Sequence, residues 1–240
     1  MNFVDKVFLI ILNWQFKLKE MDRNDQILMT GEFVKQNMKG YDSGHDWWHI
    51  IRVRRLALFI NEMEALADPF IVEITALLHD SADSKFAGEK SGQGYLLISD
   101  FMDKCGLSEI KDQVITVIRN VSFSNKQNSG ILDDPLLRVI QDADRLDAIG
   151  AIGIARAFNY GGFRNNKIYN PDIISSDESV KEYPQSGTSS TISHFYEKLL
   201  LLKYRMNTLT AKRLAEERHD FLEVFLKQFY KEWEFVKGIK

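Results

Sequence analysis

Apolar side chains in this chain recur at steps of three and four, the spacing that gathers them on one face of a helix. His49, Val53, Leu56 and Ile60 advance by four, three and four, and Ile110, Val114, Val117 and Val121 repeat those steps. Ile192, Phe195, Leu199, Leu202 and Met206 carry the pattern through a further position, which predicts one continuous helix from Thr191. Strict alternation, the mark of a half-buried strand, is scarce, so the expected fold is all-α. Asp68-Pro69 and Asp134-Pro135 each set a capping carboxylate before a proline whose fixed φ suits the first helical position. The first predicted helix turns Ile71, Ile74, Leu77 and Leu78 inward, and the second Leu136, Val139, Ile140 and Ala143.

Residues 1 to 40 read as helix stopped by Gly40, and residues 42 to 44 as a turn. The small-residue run from Ala148 to Gly153 suits close approach of two helices, and a last long helix carries Leu214, Leu222, Phe225 and Phe229. Residues 159 to 190 lack a sustained period and contain Gly161, Gly162, Pro171, Pro184 and Gly187, so a long irregular loop is expected there before two C-terminal helices. A loop of that length in a compact domain is usually functional, and a lid over a pocket is the expected role. With 240 residues, 45% of them hydrophobic, the chain can fill one sizeable core. A single domain over residues 1–240 is expected, with residues 1–20 as an N-terminal extension.

The net charge of −3 lacks the basic footprint of a protein that binds long nucleic acid. A small anionic substrate stays compatible with it, because a metal and a few local cations reverse the potential of one pocket. Cys105 is the only cysteine, which excludes a disulfide framework and a thiolate metal site. The apolar run from Val7 to Leu12 is followed by Lys17 and Lys19 with no small-residue cleavage site, so no signal peptide is expected. No stretch approaches the ~20 apolar residues of a membrane span. The expected location is therefore the cytoplasm, with no membrane partner.

Against this background Leu77-Leu78-His79-Asp80 stands out, because two apolar residues run directly into a histidine and an aspartate. A carboxylate leaving water costs several kcal/mol unless it gains a partner, and a cation is a natural one. His49, in Gly44-His-Asp-Trp-Trp-His49, and Asp144, in Gln141-Asp-Ala-Asp144-Arg-Leu-Asp147, supply the same ligand types elsewhere. Imidazole and carboxylate donors make a site of intermediate hardness, suited to manganese, magnesium, iron, cobalt, nickel or zinc and unsuited to copper(I). One divalent metal ion held by His49, His79, Asp80 and Asp144 is the expected cofactor.

These residues resemble the H…HD…D signature of the HD superfamily of metal-dependent phosphohydrolases. Gly44 to Val53, Leu78 to Phe86 and Asp142 to Gly150 are similar to one small bacterial branch of it, and the likeness runs on through Ser193-His-Phe-Tyr-Glu-Lys198. The resemblance implies an HD-domain helical bundle and a metal-dependent hydrolase. It implies hydrolysis of nucleoside triphosphates to monophosphate and pyrophosphate, with manganese favoured. Two-metal members need further histidines between the doublet and the distal aspartate, and none lies between Asp80 and Asp144. Alarmone hydrolases carry a Glu-Asp pair where this chain has Asp83 and Ser84. The competing readings are a nucleoside-monophosphate phosphatase on the same ligands and a nucleotide or metal sensor without turnover. The expected partner is a small-molecule nucleotide, and the expected state is monomer or homodimer.

If the helix persists past the doublet, Asp83 lies one turn from His79 and can act as general base; if the chain turns after Asp80, Asp83 caps or braces the loop instead. Lys85 follows as a candidate phosphate contact. His45 either touches substrate or makes a local hydrogen bond. Arg52, one turn beyond His49, either meets a phosphate or pairs with Asp46 or another carboxylate. Asp147, one turn beyond Asp144, either orients a ligand histidine or a water, or pairs with Arg145 or Arg156. His194 and Lys198, four apart on the helix after the presumed lid, either reach the pocket or stay solvated. Trp47 and Trp48 read as core and pocket wall.

Overall fold

A computed structural model describes residues 21–38, 46–82, 93–121, 133–171 and 190–235, and among them every regular element is helical. The elements are α1 (Arg23–Asn37), α2 (Trp47–Glu64), α3 (Pro69–Leu78), α4 (Gln93–Lys104), α5 (Ser108–Val121), α6 (Pro135–Asp147), α7 (Gly150–Phe163), α8 (Thr191–Glu197), a 3-10 helix (Leu199–Arg205) and α9 (Leu209–Phe235). They divide into two compact units. The first comprises Met1–Gly40 and Leu66–Ile140, and the second Tyr41–Ala65 and Gln141–Lys240.

In the first unit α3 packs against α1 and α5, and α4 packs against α5. Val34 of α1, Val72, Ile74 and Leu78 of α3, Ile98 and Met102 of α4, and Val114 and Val117 of α5 are fully buried. Each such aliphatic side chain contributes roughly 1.5–3 kcal/mol by leaving water. Phe33 and Phe101 stack with ring centroids 4.0 Å apart. Gln26 reaches across from α1, its Nε2 donating to the carbonyls of Cys105 at 3.1 Å and Gly106 at 3.2 Å, which satisfies acceptors that the end of α4 leaves over.

The second unit is built on α9, which packs against α2, α7 and the 3-10 helix. Ile50, Val53 and Ile60 of α2, Leu146 of α6, Ile192 and Phe195 of α8 and Leu222 of α9 form its buried set. Phe225 stacks on Phe195 at 5.6 Å and meets the Phe158 ring edge at 5.9 Å. Among the described residues no helix is long and apolar enough to cross a membrane.

The Asp-Pro helix starts are present. Asp68 accepts the Phe70 N–H at 2.8 Å and Asp134 the Leu136 N–H at 2.8 Å, each such cap contributing about 1 kcal/mol. Three sequence expectations need correction. The irregular stretch expected from residue 159 begins later, because α7 continues to Phe163. Gly161 is inside that helix, where a Cβ would collide with the Thr191 hydroxyl, so this glycine serves close packing rather than a turn. The run from Ala148 to Gly153 is a corner, in which α6 ends, Gly150 takes φ +74° and α7 begins. The helix expected from Thr191 through Met206 breaks at Lys198 (φ −140°, ψ −57°) and resumes as 3-10. Its predicted inward residues are buried nonetheless, since the 199-to-202 step of three also suits a 3-10 turn. The turn expected at 42–44, the start of the chain and most of the presumed lid lie outside the described residues.

Candidate metal centre

Asp46 is the N-cap of α2, and its Oδ1 accepts the His49 N–H at 2.8 Å, so the cap fixes the backbone of the histidine itself. The His49 side chain is fully buried. Its Nδ1 is 2.8 Å from Asp147 Oδ2. Asp147 can only accept there, because it is held ionised: burial pushes its pKa up, but hydrogen bonds from His49 and Arg52 and the charge of Arg156 hold it well below the usual carboxylate range. Nδ1 therefore carries the proton, and Nε2 is left with its lone pair. That nitrogen lies 3.6 Å from Asp144 Oδ1. The separation is long for a hydrogen bond. It is close to that of two ligands on one ion, since metal–donor bonds near 2.1 Å place neighbouring donors roughly 3 Å apart.

The three aspartates of Gln141-Asp-Ala-Asp144-Arg-Leu-Asp147 have separate tasks. Asp142 is fully buried and accepts the Asn207 and Thr208 N–H groups, each at 2.8 Å, and the Thr208 hydroxyl at 2.9 Å. It thereby anchors the segment that leads into α9; burial pushes its pKa up, against the lowering effect of those hydrogen bonds. Asp144 is one-third exposed and faces His49 Nε2. Asp147, 2% exposed, takes Arg52 Nε at 2.6 Å and Nη2 at 3.0 Å, and Arg156 Nη1 at 2.8 Å. The two roles set against each other for Asp147 thus coincide, because it meets both the histidine and an arginine. Arg52 is anchored bidentately; among the described residues its Nη1 makes no hydrogen bond, and its side chain stays 30% exposed.

The first unit holds the other pair. His79 is the C-cap of α3 and is buried. Its Nδ1 lies 2.7 Å from the Ala76 carbonyl, which has no proton to give, so Nδ1 is again the donor and Nε2 again carries the lone pair. Asp80 Oδ1 stands 3.6 Å from that Nε2. The helix does not persist through the doublet. Ala76 receives the imidazole proton, and the Ser81 N–H turns back to the Leu78 carbonyl at 2.9 Å, so residues 79–82 form a turn. The one-turn spacing from His79 to Asp83 consequently loses its helical basis. Asp83, Lys85 and His45 themselves lie outside the described residues.

His194, on α8, is partly buried, and burial followed by the Lys198 charge pushes its pKa down to about 4, so it is neutral at pH 7. Lys198 is the break between α8 and the 3-10 helix. Trp47 is half-buried, but Trp48 is 64% exposed rather than core. One contributor had no sequence signal: Arg218 of α9 donates to the Leu146 carbonyl at the end of α6, and nothing in its spacing announces that reach.

Each unit thus offers an imidazole oriented through its second nitrogen with a carboxylate beside it, donor types that suit a divalent cation of intermediate hardness. Comparison with known proteins leads the same way. A family model described as the HD domain matches residues 47–149. YpgQ of Bacillus subtilis is 39% identical over 222 residues, which span 90% of this chain and 96% of that protein. A crystal structure of an HD-superfamily hydrolase from Bacillus thuringiensis aligns with a TM-score of 0.69 at 39% identity, covering 89% of this chain and 99% of the other. The crystal structure of Bacillus subtilis YpgQ in complex with ADP aligns at 0.67 with 37% identity, covering 89% and 100%.

Proposed function

Because the chain belongs to the HD-domain family of metal-dependent hydrolases, we propose that His49, His79, Asp80 and Asp144 together hold one divalent cation and that the enzyme cleaves a nucleoside triphosphate to monophosphate and pyrophosphate. The observation that carries this reading is the repeated pair: in each unit an imidazole has its Nδ1 tied and its Nε2 set 3.6 Å from a carboxylate oxygen. A nucleotide as the substrate class is supported by the ADP complex of YpgQ. Manganese is the metal of first choice, on the resemblance to the small bacterial branch and on the mixed imidazole and carboxylate donors. The cytoplasm is the proposed location.

A bound divalent cation supplies Lewis acidity to a phosphoryl oxygen, lowers the pKa of water and offsets the negative charge that grows in the transition state. The remaining work falls to side chains. Because α3 ends at Leu78, Asp83 takes its alternative role, capping or bracing the loop, and Lys85 and Lys198 offer cationic contacts to phosphate. Arg52 keeps its Nη1 available for a phosphate oxygen while its other nitrogens hold Asp147. His194, neutral, gives or takes a hydrogen bond at the substrate, and His45 is the remaining proposed substrate contact. Asp147 keeps His49 in the tautomer a metal needs.

The test is a nucleotide panel offered to the manganese-loaded protein, with release of phosphate and of pyrophosphate followed separately, beside His79→Ala and Asp80→Ala. Pyrophosphate release that both substitutions abolish is the expected result. Phosphate release alone would replace the reading with a nucleoside-monophosphate phosphatase, and binding without turnover would replace it with a sensor.

A further inference from the structure

Asp147 receives more than His49 needs. A carboxylate offers about four lone-pair sites. Here they meet four donors, Arg52 Nε on Oδ1 and Arg52 Nη2, His49 Nδ1 and Arg156 Nη1 on Oδ2. Three of the four converge on Oδ2, so the oxygen that orients His49 keeps no capacity for a substrate. Arg156 makes a second bond, because its Nη1 also lies 3.2 Å from the backbone carbonyl of Asp147. That carbonyl belongs to the last turn of α6, whose acceptors have no partner within the helix. Arg218 Nη1 takes the neighbouring Leu146 carbonyl. A cation at a helix C-terminus is also favoured by the aligned peptide dipoles. Arg156 thus grips side chain and main chain of one residue, one turn past Asp144.

Both ends of the proposed ligand pair depend on that grip. Asp144 shares a helix with Asp147, so pinning the end of α6 sets the position from which its carboxylate faces His49. The His49 ring is oriented by the Oδ2 that Arg156 also holds. Without the guanidinium, Oδ2 loses a charged donor and the last α6 carbonyl loses its partner, and the carboxylate gains freedom to turn away from Nδ1. We infer that Arg156 of α7 is a positioning residue of the metal centre: it clamps Asp147 so that His49 keeps its proton on Nδ1 and presents Nε2 to the cation. This rests on the metal reading above, and it assigns a role to an arginine outside the proposed ligand set.

Loss of an outer partner of a ligand histidine typically weakens metal binding ten- to a hundredfold. The experiment uses the full chain. Calorimetric titration with manganese chloride is run on wild type, Arg156→Ala, Arg156→Lys and Asp147→Asn, and the His49 tautomer is read by long-range proton–nitrogen NMR on the metal-free proteins. Wild type is expected to show the Nδ1–H tautomer. Arg156→Ala is expected to bind manganese about tenfold more weakly and to show mixed tautomers. Asp147→Asn should lose more, and Arg156→Lys, which keeps the charge but has a shorter reach and no planar fork, should lie between wild type and Arg156→Ala. Wild-type affinity with an unchanged tautomer in Arg156→Ala would overturn the assignment, as would lost affinity with an unchanged tautomer and a lowered melting temperature, which marks a structural role only. Should Arg156→Ala fail to fold, the Nε2–H tautomer in wild type, or full affinity in Arg156→Lys and Asp147→Asn alike, overturns it as well. A wild type that binds no manganese defeats the metal reading, while the tautomer comparison still decides the clamp.

Discussion

The two units orient their histidines with acceptors of different strength. His79 gives its Nδ1 proton to a neutral backbone carbonyl of its own helix three residues back, a contact that follows from the local chain path. His49 gives its proton to an ionised carboxylate that lies 98 residues away and is held by arginines from two further positions. A carboxylate partner raises the basicity of the opposite ring nitrogen more than an amide carbonyl does. The second unit therefore supplies the stronger nitrogen donor and depends on a tertiary network for it. The first supplies a weaker donor that assembles as soon as α3 folds.

Removal of ligands probes this contrast most severely. If the two pairs serve one cation, His49→Ala and His79→Ala should each reduce turnover on the order of a thousandfold, and the double variant should be little worse, because residues that act as a unit are not additive. Losses that multiply in the double variant would show that each pair works alone. The next effect in size is confined to the second unit. Asp142→Ala removes four hydrogen bonds at a fully buried position and unties the segment that leads into α9, which should lower stability by about 2–4 kcal/mol in urea denaturation. Equal stability in that variant would mean that other groups anchor that segment.

A smaller change tests the first unit. A Cβ on Gly94 would meet the Ala82 carbonyl oxygen at 2.6 Å and the Ala82 Cα at 2.8 Å, backbone atoms two residues past the doublet. Gly94→Ala should lower stability by about 1–3 kcal/mol and displace the turn that carries Asp80, visible as weaker manganese binding. Unchanged affinity would separate the turn from the ligand pair. A last effect is in pH dependence. His194 titrates near 6.5 when unfolded and near 4 when folded, so only the unfolded state takes up a proton between those values. Stability should fall as pH drops from about 6.5 to about 4 and then stop falling on this account. His194→Gln should flatten that interval, and an unchanged slope would assign it to other groups.

How much of this was open to the sequence depends on the range of the interaction. Helical spacing and the two Asp-Pro caps are local, and they located α3 and the start of α6 within the chain. The ligand types were readable because few buried settings tolerate a histidine followed by an aspartate. The end of α3 at Leu78 was not readable, since it turns on one imidazole taking a carbonyl of the preceding turn. Nor was the reach of α7 to Phe163, because Gly161 reads as a breaker until Thr191 is placed against it. Arg156 had been an alternative partner for Asp147 rather than an addition to His49, since spacing alone cannot say that one carboxylate serves both. Arg218 lies 72 residues from the carbonyl it meets, beyond any periodic pattern.

The last two turns of α6 carry tasks at fixed angles: Asp142 toward the start of α9, Asp144 toward His49, and Asp147 toward the arginines. One inserted or deleted residue would swing everything beyond it by about 100° around the axis. Length is thus frozen between residues 142 and 147. Splitting, permuting or inserting into this chain should leave those six positions intact and place its junctions elsewhere.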